Sequence, residues 1–133
     1  MWPEAVERIA SFLRESNAQG QLEELPGGVD EPPGESVQAV TFECDGRVLV
    51  ALVPNDRVVD RGRLARRGGC VGLRPVAARA FPFQDARVLA DRSLLSLRTV
   101  WLEAGSPRHV LGLAPGELLR LTRAETGAFL VED

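Results

Sequence analysis

The sequence predicts an α+β fold: a twisted mixed β-sheet, partly closed into a barrel, with helices around it. Three observations carry this expectation. Val48 to Val53 is apolar at every position and reads as a central strand buried on both faces. Asp45-Gly46 stands between "VQAVTFE" and "RVLVALVP", and Asp-Gly between β-branched runs is a strong hairpin signal. Further strand-like runs outnumber the helical patterns and are intermixed with them. The 133 residues fit a single domain, 1–133, large enough to bury a core, with no internal repeat.

Taken in order, Pro3 suits a first helical turn, and Val6, Ile9, Ala10 and Leu13 recur at helical spacing, so a helix runs to about Ser16. Gln21 to Leu25 reads as a short strand, and "PGGVDEPPGES" as an exposed loop. After the hairpin, Asp60 caps a short helix through Arg67, and Gly68-Gly69 stops it. Cys70 to Leu73 is expected as a strand, and Pro75 to Gln84 as irregular or a short helix. Arg87 to Ala90, Thr99 to Glu103 and His109 to Leu113 read as strands, with Asp91 and Ser93 shaping the turn after the first. Pro115 opens a helix that buries Leu118, Leu119 and Leu121, and Phe129 to Val131 reads as a last edge strand.

Composition narrows the function classes. Hydrophobic residues make up 44% and charged residues 26%, ordinary for a globular protein. The net charge of −3 gives no global sign of nucleic-acid binding. No run approaches the length of a membrane span, and "MWPEAVERIA" has acids where a signal peptide needs a basic region, so a cytoplasmic protein without membrane partners is expected. Two cysteines, one histidine and no C-x-x-C make neither a disulfide framework nor a zinc motif. Cys44 and Cys70 are expected as small buried or half-buried residues, with no metal and no cofactor.

There is no lysine and no tyrosine; all sixteen basic residues are arginine. Cationic work therefore falls to guanidinium, which keeps its proton near neutral pH. Residues 1–60 carry twelve acids against four arginines, and residues 61–133 seven against twelve. Arg57, Arg61, Arg63, Arg66, Arg67, Arg74 and Arg79 are the densest block, against only Asp60, and five of them fall from Arg57 to Arg67. Such a block either neutralises phosphates or forms a solvated helix face.

Catalytic motifs are nearly absent: no G-x-S-x-G, no phosphate-binding glycine loop and no diagnostic carboxylate pair. The stretch "EAGSPRHV" offers one candidate. Gly105 lacks a Cβ and permits close backbone approach to a ligand, and Pro107 fixes the chain after it. The N–H groups of Gly105 and Ser106 are then free to face a carbonyl oxygen as an oxyanion-binding pair. On this reading Gly105→Val leaves the fold largely intact and abolishes ligand handling. The alternative leaves Ser106 capping the turn and His109 filling a strand end.

The stretches "FECDGRVLVALVPNDRVVD" and "VLADRSLLSLRTVWLEAGSPRHVLGLAPGELLRL" together resemble the YbaK/EbsC/ProX family of aminoacyl-tRNA editing domains, free-standing or inserted in prolyl-tRNA synthetases. The likeness covers roughly residues 36–66 and 86–123 and rests on the order and spacing of its motifs. It implies a mixed, partly closed sheet and a trans-editing deacylase that hydrolyses the ester of mischarged tRNA and so serves translation fidelity. Aminoacyl-tRNA is the implied partner, with association with an aminoacyl-tRNA synthetase as a further expectation. The implied pocket lies between the Gln38 strand and the Gly105–Ser106 turn, with Pro82 and Phe83 on its rim and His109 near the substrate. Gly105 and Ser106 are the catalytic candidates, and Arg57, Arg61, Arg63, Arg66 and Arg67 the tRNA contacts.

Two departures from the family pattern stand out. Gln38 occupies the place of the usual strand lysine, and "RPVAARAFPFQD" keeps Pro82 and Phe83 but lacks the glycines of the usual closing loop. Replacing an ammonium by an amide forfeits a charge-assisted hydrogen bond of about 1.5–3 kcal/mol. A domain that binds an aminoacyl, nucleotide or RNA ligand without hydrolysing it is therefore the alternative.

Overall fold

In the computed structural model, which describes residues 2–25 and 35–132, the chain runs α1 (Glu4–Glu15), β1 (Gly20–Glu24), β2 (Val37–Cys44), β3 (Arg47–Pro54), α2 (Arg61–Gly68), β4 (Leu73–Pro75), β5 (Arg87–Asp91), a 3-10 turn (Arg92–Ser96), β6 (Val100–Glu103), β7 (His109–Leu113), α3 (Pro115–Thr122) and β8 (Glu125–Gly127). Of the loop expected over residues 26–36, residues 26–34 lie outside the described residues, and Ser36 makes a β-bridge.

The α+β class is present, but the single, partly closed sheet is not. The strands divide into a five-stranded mixed sheet, β4-β2-β3-β5-β8, and a three-stranded antiparallel sheet, β1-β7-β6. Neither closes into a barrel. Among the described residues the ladders of the two sheets touch only where Ser36 bridges Trp101, and there the Trp101 N–H donates to the Glu35 carbonyl at 2.9 Å. The larger sheet ends in β4 and β8, three residues each, which are too short to carry the ladder round to the smaller one.

Strand β3 is the apolar run read from the sequence. Leu49 is 1% exposed, and Val50 to Val53 are all at 0%. Alternate side chains point to opposite faces of a strand, so β3 feeds two cores. Val50 and Leu52 join Ile9 and Leu13 of α1, with Leu94, Leu111 and Leu118. Leu49, Ala51 and Val53 join Phe42, Leu64 of α2, Leu89 and Phe129. β3 runs antiparallel to β2 and parallel to β5.

The helices follow their local signals. α1 buries Val6, Ile9 and Leu13. In α2 the Asp60 carboxylate accepts from the Arg63 N–H at 3.1 Å, and Gly69 ends the helix in the left-handed region at φ +72°. α3 starts on Pro115 and buries Leu118 and Leu121, while Leu119 is only half-buried. The irregular option holds for Pro75 to Gln84, apart from the end of β4.

Three expectations need correction. The first concerns Cys44 and Cys70, which form a disulfide, with Cα atoms 5.4 Å apart. The β2–β3 turn and the left-handed cap of α2 bring them together, and two lone cysteines in a sequence carry no sign of that approach. The second is the strand expected at Cys70 to Leu73, which begins only at Leu73. The Asp45 carboxylate takes the N–H groups of Val71 and Gly72, each at 2.8 Å, so the preceding residues are committed elsewhere. These two donors, Gly72 first, hold the Asp45 carboxyl below the usual carboxylate range. That grip is present at neutral pH and is lost as pH falls through the lowered value.

The third correction concerns the last strand, which is Glu125–Gly127, parallel to β5; Leu130 makes only a bridge to Val59. Asp91 connects this end of the chain to the turn it shapes. Its buried carboxylate accepts from the Ser93 N–H at 3.0 Å, the Ser93 hydroxyl at 2.5 Å and the Phe129 N–H at 3.1 Å.

The disulfide joins cysteines 26 apart, a loop worth about 3–4 kcal/mol in the chain-entropy account. Alkylation of the denatured protein without reductant should find no free thiol. Reduction should lower the unfolding free energy by about that amount. Two alkylatable thiols, with stability indifferent to reductant, would contradict the pairing.

Candidate functional site

From the Ser36–Trp101 bridge β2 and β6 go their separate ways into two sheets, and a cleft of about 510 Å³ opens between them. One wall is the start of β2, including Gln38. β4 pairs with β2 only at Phe42 to Cys44, so among the described residues no strand covers the outer edge of the preceding residues. The second wall is Trp101 to Glu103 of β6, with Gly105. The third is the loop from Ala78 through Phe83. Gln38, Phe83 and Gly105, distant in sequence, therefore line one cleft.

Pro82 lies on the other side of that loop. It lines an adjoining cleft of about 520 Å³ together with Arg8 and Phe12 of α1. The two clefts share Arg79, Phe81, Phe83 and Gly105, so the loop is a ridge between them.

The ridge is anchored although it lacks regular structure. The Val76 N–H donates to the Thr41 carbonyl at 3.1 Å, and the Arg79 N–H to the Thr41 hydroxyl at 3.2 Å. Phe81 and Phe83, each 4% exposed, plug into the core. Their rings meet edge to face at 5.9 Å, and Phe81 meets Phe12 of α1 at 5.8 Å. The Phe81–Pro82 bond is cis. Sequence reasoning had taken up Pro82 and Phe83, counted Arg79 only within the basic block, and missed Phe81. Two phenylalanines flanking a proline, in a chain with five, was the available signal.

Gln38 faces the β3–α2 connection. Its Nε2 donates to the Arg57 carbonyl at 3.1 Å and the Pro54 carbonyl at 3.5 Å. The amide is thus already engaged in holding that connection.

Gly105 has φ +89°, in the left-handed region that favours glycine. A Cβ there would lie 2.9 Å from the Ala5 carbonyl carbon and from the Val6 nitrogen. The close approach at Gly105 is therefore to the first turn of α1, and the expectation that valine leaves the fold largely intact is corrected. The N–H groups of Gly105 and Ser106 donate to no group among the described residues.

Ser106 and His109 line neither cleft. Their side chains are joined at 2.5 Å through His109 Nδ1, and the Ser106 hydroxyl oxygen also accepts the Arg108 N–H at 3.1 Å. His109 is 2% exposed, with Trp2 edge-on to its ring at 5.1 Å. Its Nε2 lies 3.3 Å from the Glu24 carboxylate, yet out of alignment for a hydrogen bond. The three groups tie the turn to β1.

Four of the five arginines from Arg57 to Arg67 are engaged within the chain. Arg57 donates to the Val131 carbonyl, Arg61 to the Leu73 carbonyl, Arg63 to Glu132 and Arg67 to the Thr126 carbonyl. Arg66 is exposed and makes no such bond among the described residues.

A larger, open cavity of about 800 Å³ lies beside the Cys44 to Leu49 turn and contains none of the expected site residues. Among the described residues, no group of three His, Cys, Asp or Glu side chains is placed to hold a metal, and no helix is long and apolar enough to cross a membrane.

No family model matches the chain, and no curated protein matches it. Solved structures do. A scaffold protein from the computational grafting of linear epitopes is 22% identical, with a TM-score of 0.85 over 99% of this chain and 100% of its own. A candidate trans-editing enzyme for prolyl-tRNA synthetase is 21% identical, with a TM-score of 0.82 over 99% and 100%. A hypothetical protein is 16% identical, with a TM-score of 0.78 over 93% and 99%. The chain shares its fold with these three structures.

A valine at position 105 must adopt a left-handed backbone and displace α1. Gly105→Val should therefore lower the unfolding free energy by roughly 2–5 kcal/mol. Urea denaturation measures the loss, and amide exchange should show α1 deprotected. A variant as stable as the parent, with α1 still protected, would contradict this packing.

Proposed function

We propose that the chain is an aminoacyl-tRNA deacylase acting in trans, hydrolysing the ester that joins a wrong amino acid to tRNA. One observation carries this reading: the cleft between the two sheets unites Gln38, Phe83 and the Gly105 turn, in a fold shared end to end with a candidate trans-editing enzyme. The aminoacyl group and the terminal adenosine would occupy the two clefts beside the Arg79–Phe83 ridge. Water, or a group of the substrate held close to the ester, attacks the carbonyl carbon. The Gly105 N–H would face the oxyanion, with Ser106 supporting the turn behind it, and one well-placed donor contributes about 2.7–4 kcal/mol to such a step. Gln38 shapes the wall through the β3–α2 connection, and His109 holds the turn that presents the donor. The setting is cytoplasmic translation, beside an aminoacyl-tRNA synthetase.

The arginines of α2 and its approach form the tRNA contact surface. Internal hydrogen bonds do not discharge a guanidinium, and Arg66 is the member most open to a phosphate.

Binding without hydrolysis is the second reading, and Gln38 favours it. Its amide nitrogen is taken by two carbonyls and the chain has no lysine, so no ammonium reaches the ester.

Incubation with a panel of mischarged tRNAs, following release of the amino acid, tests the first reading. At least one pairing should be deacylated well above the spontaneous rate. Binding across a salt series, run in parallel, should show Arg66→Glu weaker than the parent, with the slope reduced by about 0.9 or less per lost phosphate contact. Silence across the panel with tRNA binding retained would transfer the assignment to the second reading. Absence of both would remove it.

A further inference from the structure

We propose that Arg79 is the phosphate-binding residue of the cleft. The inference rests on the deacylase reading and names the part of the substrate that Arg79 holds. It begins from charge. Of the described residues lining the first cleft, only Arg79 and Glu103 have acidic or basic side chains, and they stand on different walls. A ligand that carries an anion and an amine at separate ends matches that pair. An aminoacyl nucleotide is such a ligand, with a phosphodiester on the nucleoside and an ammonium on the aminoacyl group.

Arg79 is also available. Its guanidinium makes one long bond, Nη1 to the Gln84 carbonyl at 3.4 Å, and no ion pair among the described residues. By contrast, Arg8, the other arginine that lines either cleft, is paired with Glu4 at 2.6 Å. The backbone beneath Arg79 is fixed by the Thr41 hydroxyl and by the two phenylalanine plugs. An exposed guanidinium on an anchored loop retains its two-pronged hydrogen-bonding geometry for a phosphate, with little loop ordering left to lose on binding. Because Arg79 borders both clefts, a 5′-phosphate held there would place the ribose beside the ridge, from which the base and the aminoacyl group can reach different clefts. Gln38, the half-buried amide of the β2 wall, has its nitrogen engaged, and Asn55 is uncharged, so this guanidinium is the strongest anion-binding group among the described residues of the first cleft.

The test uses two probes: an amide-linked, non-hydrolysable aminoacyl adenosine, and the same compound with a 5′-phosphate. Titration calorimetry gives the affinity of each for the full chain, Arg79→Ala and Arg79→Lys. The parent should bind the phosphorylated probe about tenfold to hundredfold more tightly. Arg79→Ala should lose that preference while keeping its affinity for the unphosphorylated probe and its thermal stability, and Arg79→Lys should keep part of the preference. An Arg79→Ala protein that still prefers the phosphorylated probe to the same degree would overturn the inference. So would a parent that binds both probes equally, and that result would leave the deacylase reading standing. A parent that binds neither probe would overturn both.

Discussion

The burial of β3 on both faces is the constraint on which the rest of the structure depends. Leu49 to Val53 cannot be exposed on either side without returning large apolar surface to water, at about 1.5–3 kcal/mol for each large side chain. One face therefore requires α1, the 3-10 turn and the smaller sheet, and the other requires α2 and the C-terminal segment around Phe129. The parallel neighbour β5 and the antiparallel neighbour β2 then have their places set by the ladder. Asp91, at the end of β5, fixes the C-terminal segment over the second core through the Phe129 N–H.

The cleft follows from the same arrangement. β2 leaves the bridge at Ser36 to pair with β3, while β6 leaves it at Trp101 to pair with β7, and the space between them is filled only in part. The Arg79–Phe83 ridge enters that space because its two phenylalanines belong to the core, which leaves Arg79 at the surface. Gly105 closes the far side by letting the turn rest on the first turn of α1. Structural and functional demands thus converge on Gly105, so a change there is felt first in folding.

Much of the local structure was legible in the sequence, and most of the long-range pairing was not. The Val48 to Val53 run, the Asp45-Gly46 turn, the Asp60 cap and the Gly69 stop each act through neighbours in sequence, and each stands where it was read. The split into two sheets depends on which strands pair, and strand patterns report burial but not partners. The parallel pairing of β5 with Glu125–Gly127 has no apolar signature in so short a segment. The Cys44–Cys70 bond depends on how the α2 cap meets the hairpin turn. In the site, Gln38 and Phe83 came from family likeness and Arg79 was read only as part of the basic block, whereas Phe81 emerged only when the ridge was seen between two clefts. His109 shows the same limit: its place on β7 was foreseen, but the face it takes was fixed by Trp2 and Glu24, far away in sequence.

The central claim is that the ligand site is the cleft where the two sheets part. Amide chemical-shift mapping with the phosphorylated, amide-linked aminoacyl adenosine tests it most directly. The account predicts perturbations clustered at Gln38 and Ala39, Arg79 to Phe83, and Gly105 and Ser106. Perturbations confined to Cys44 to Leu49, Gly68 and Gly69, around the larger open cavity, would contradict it.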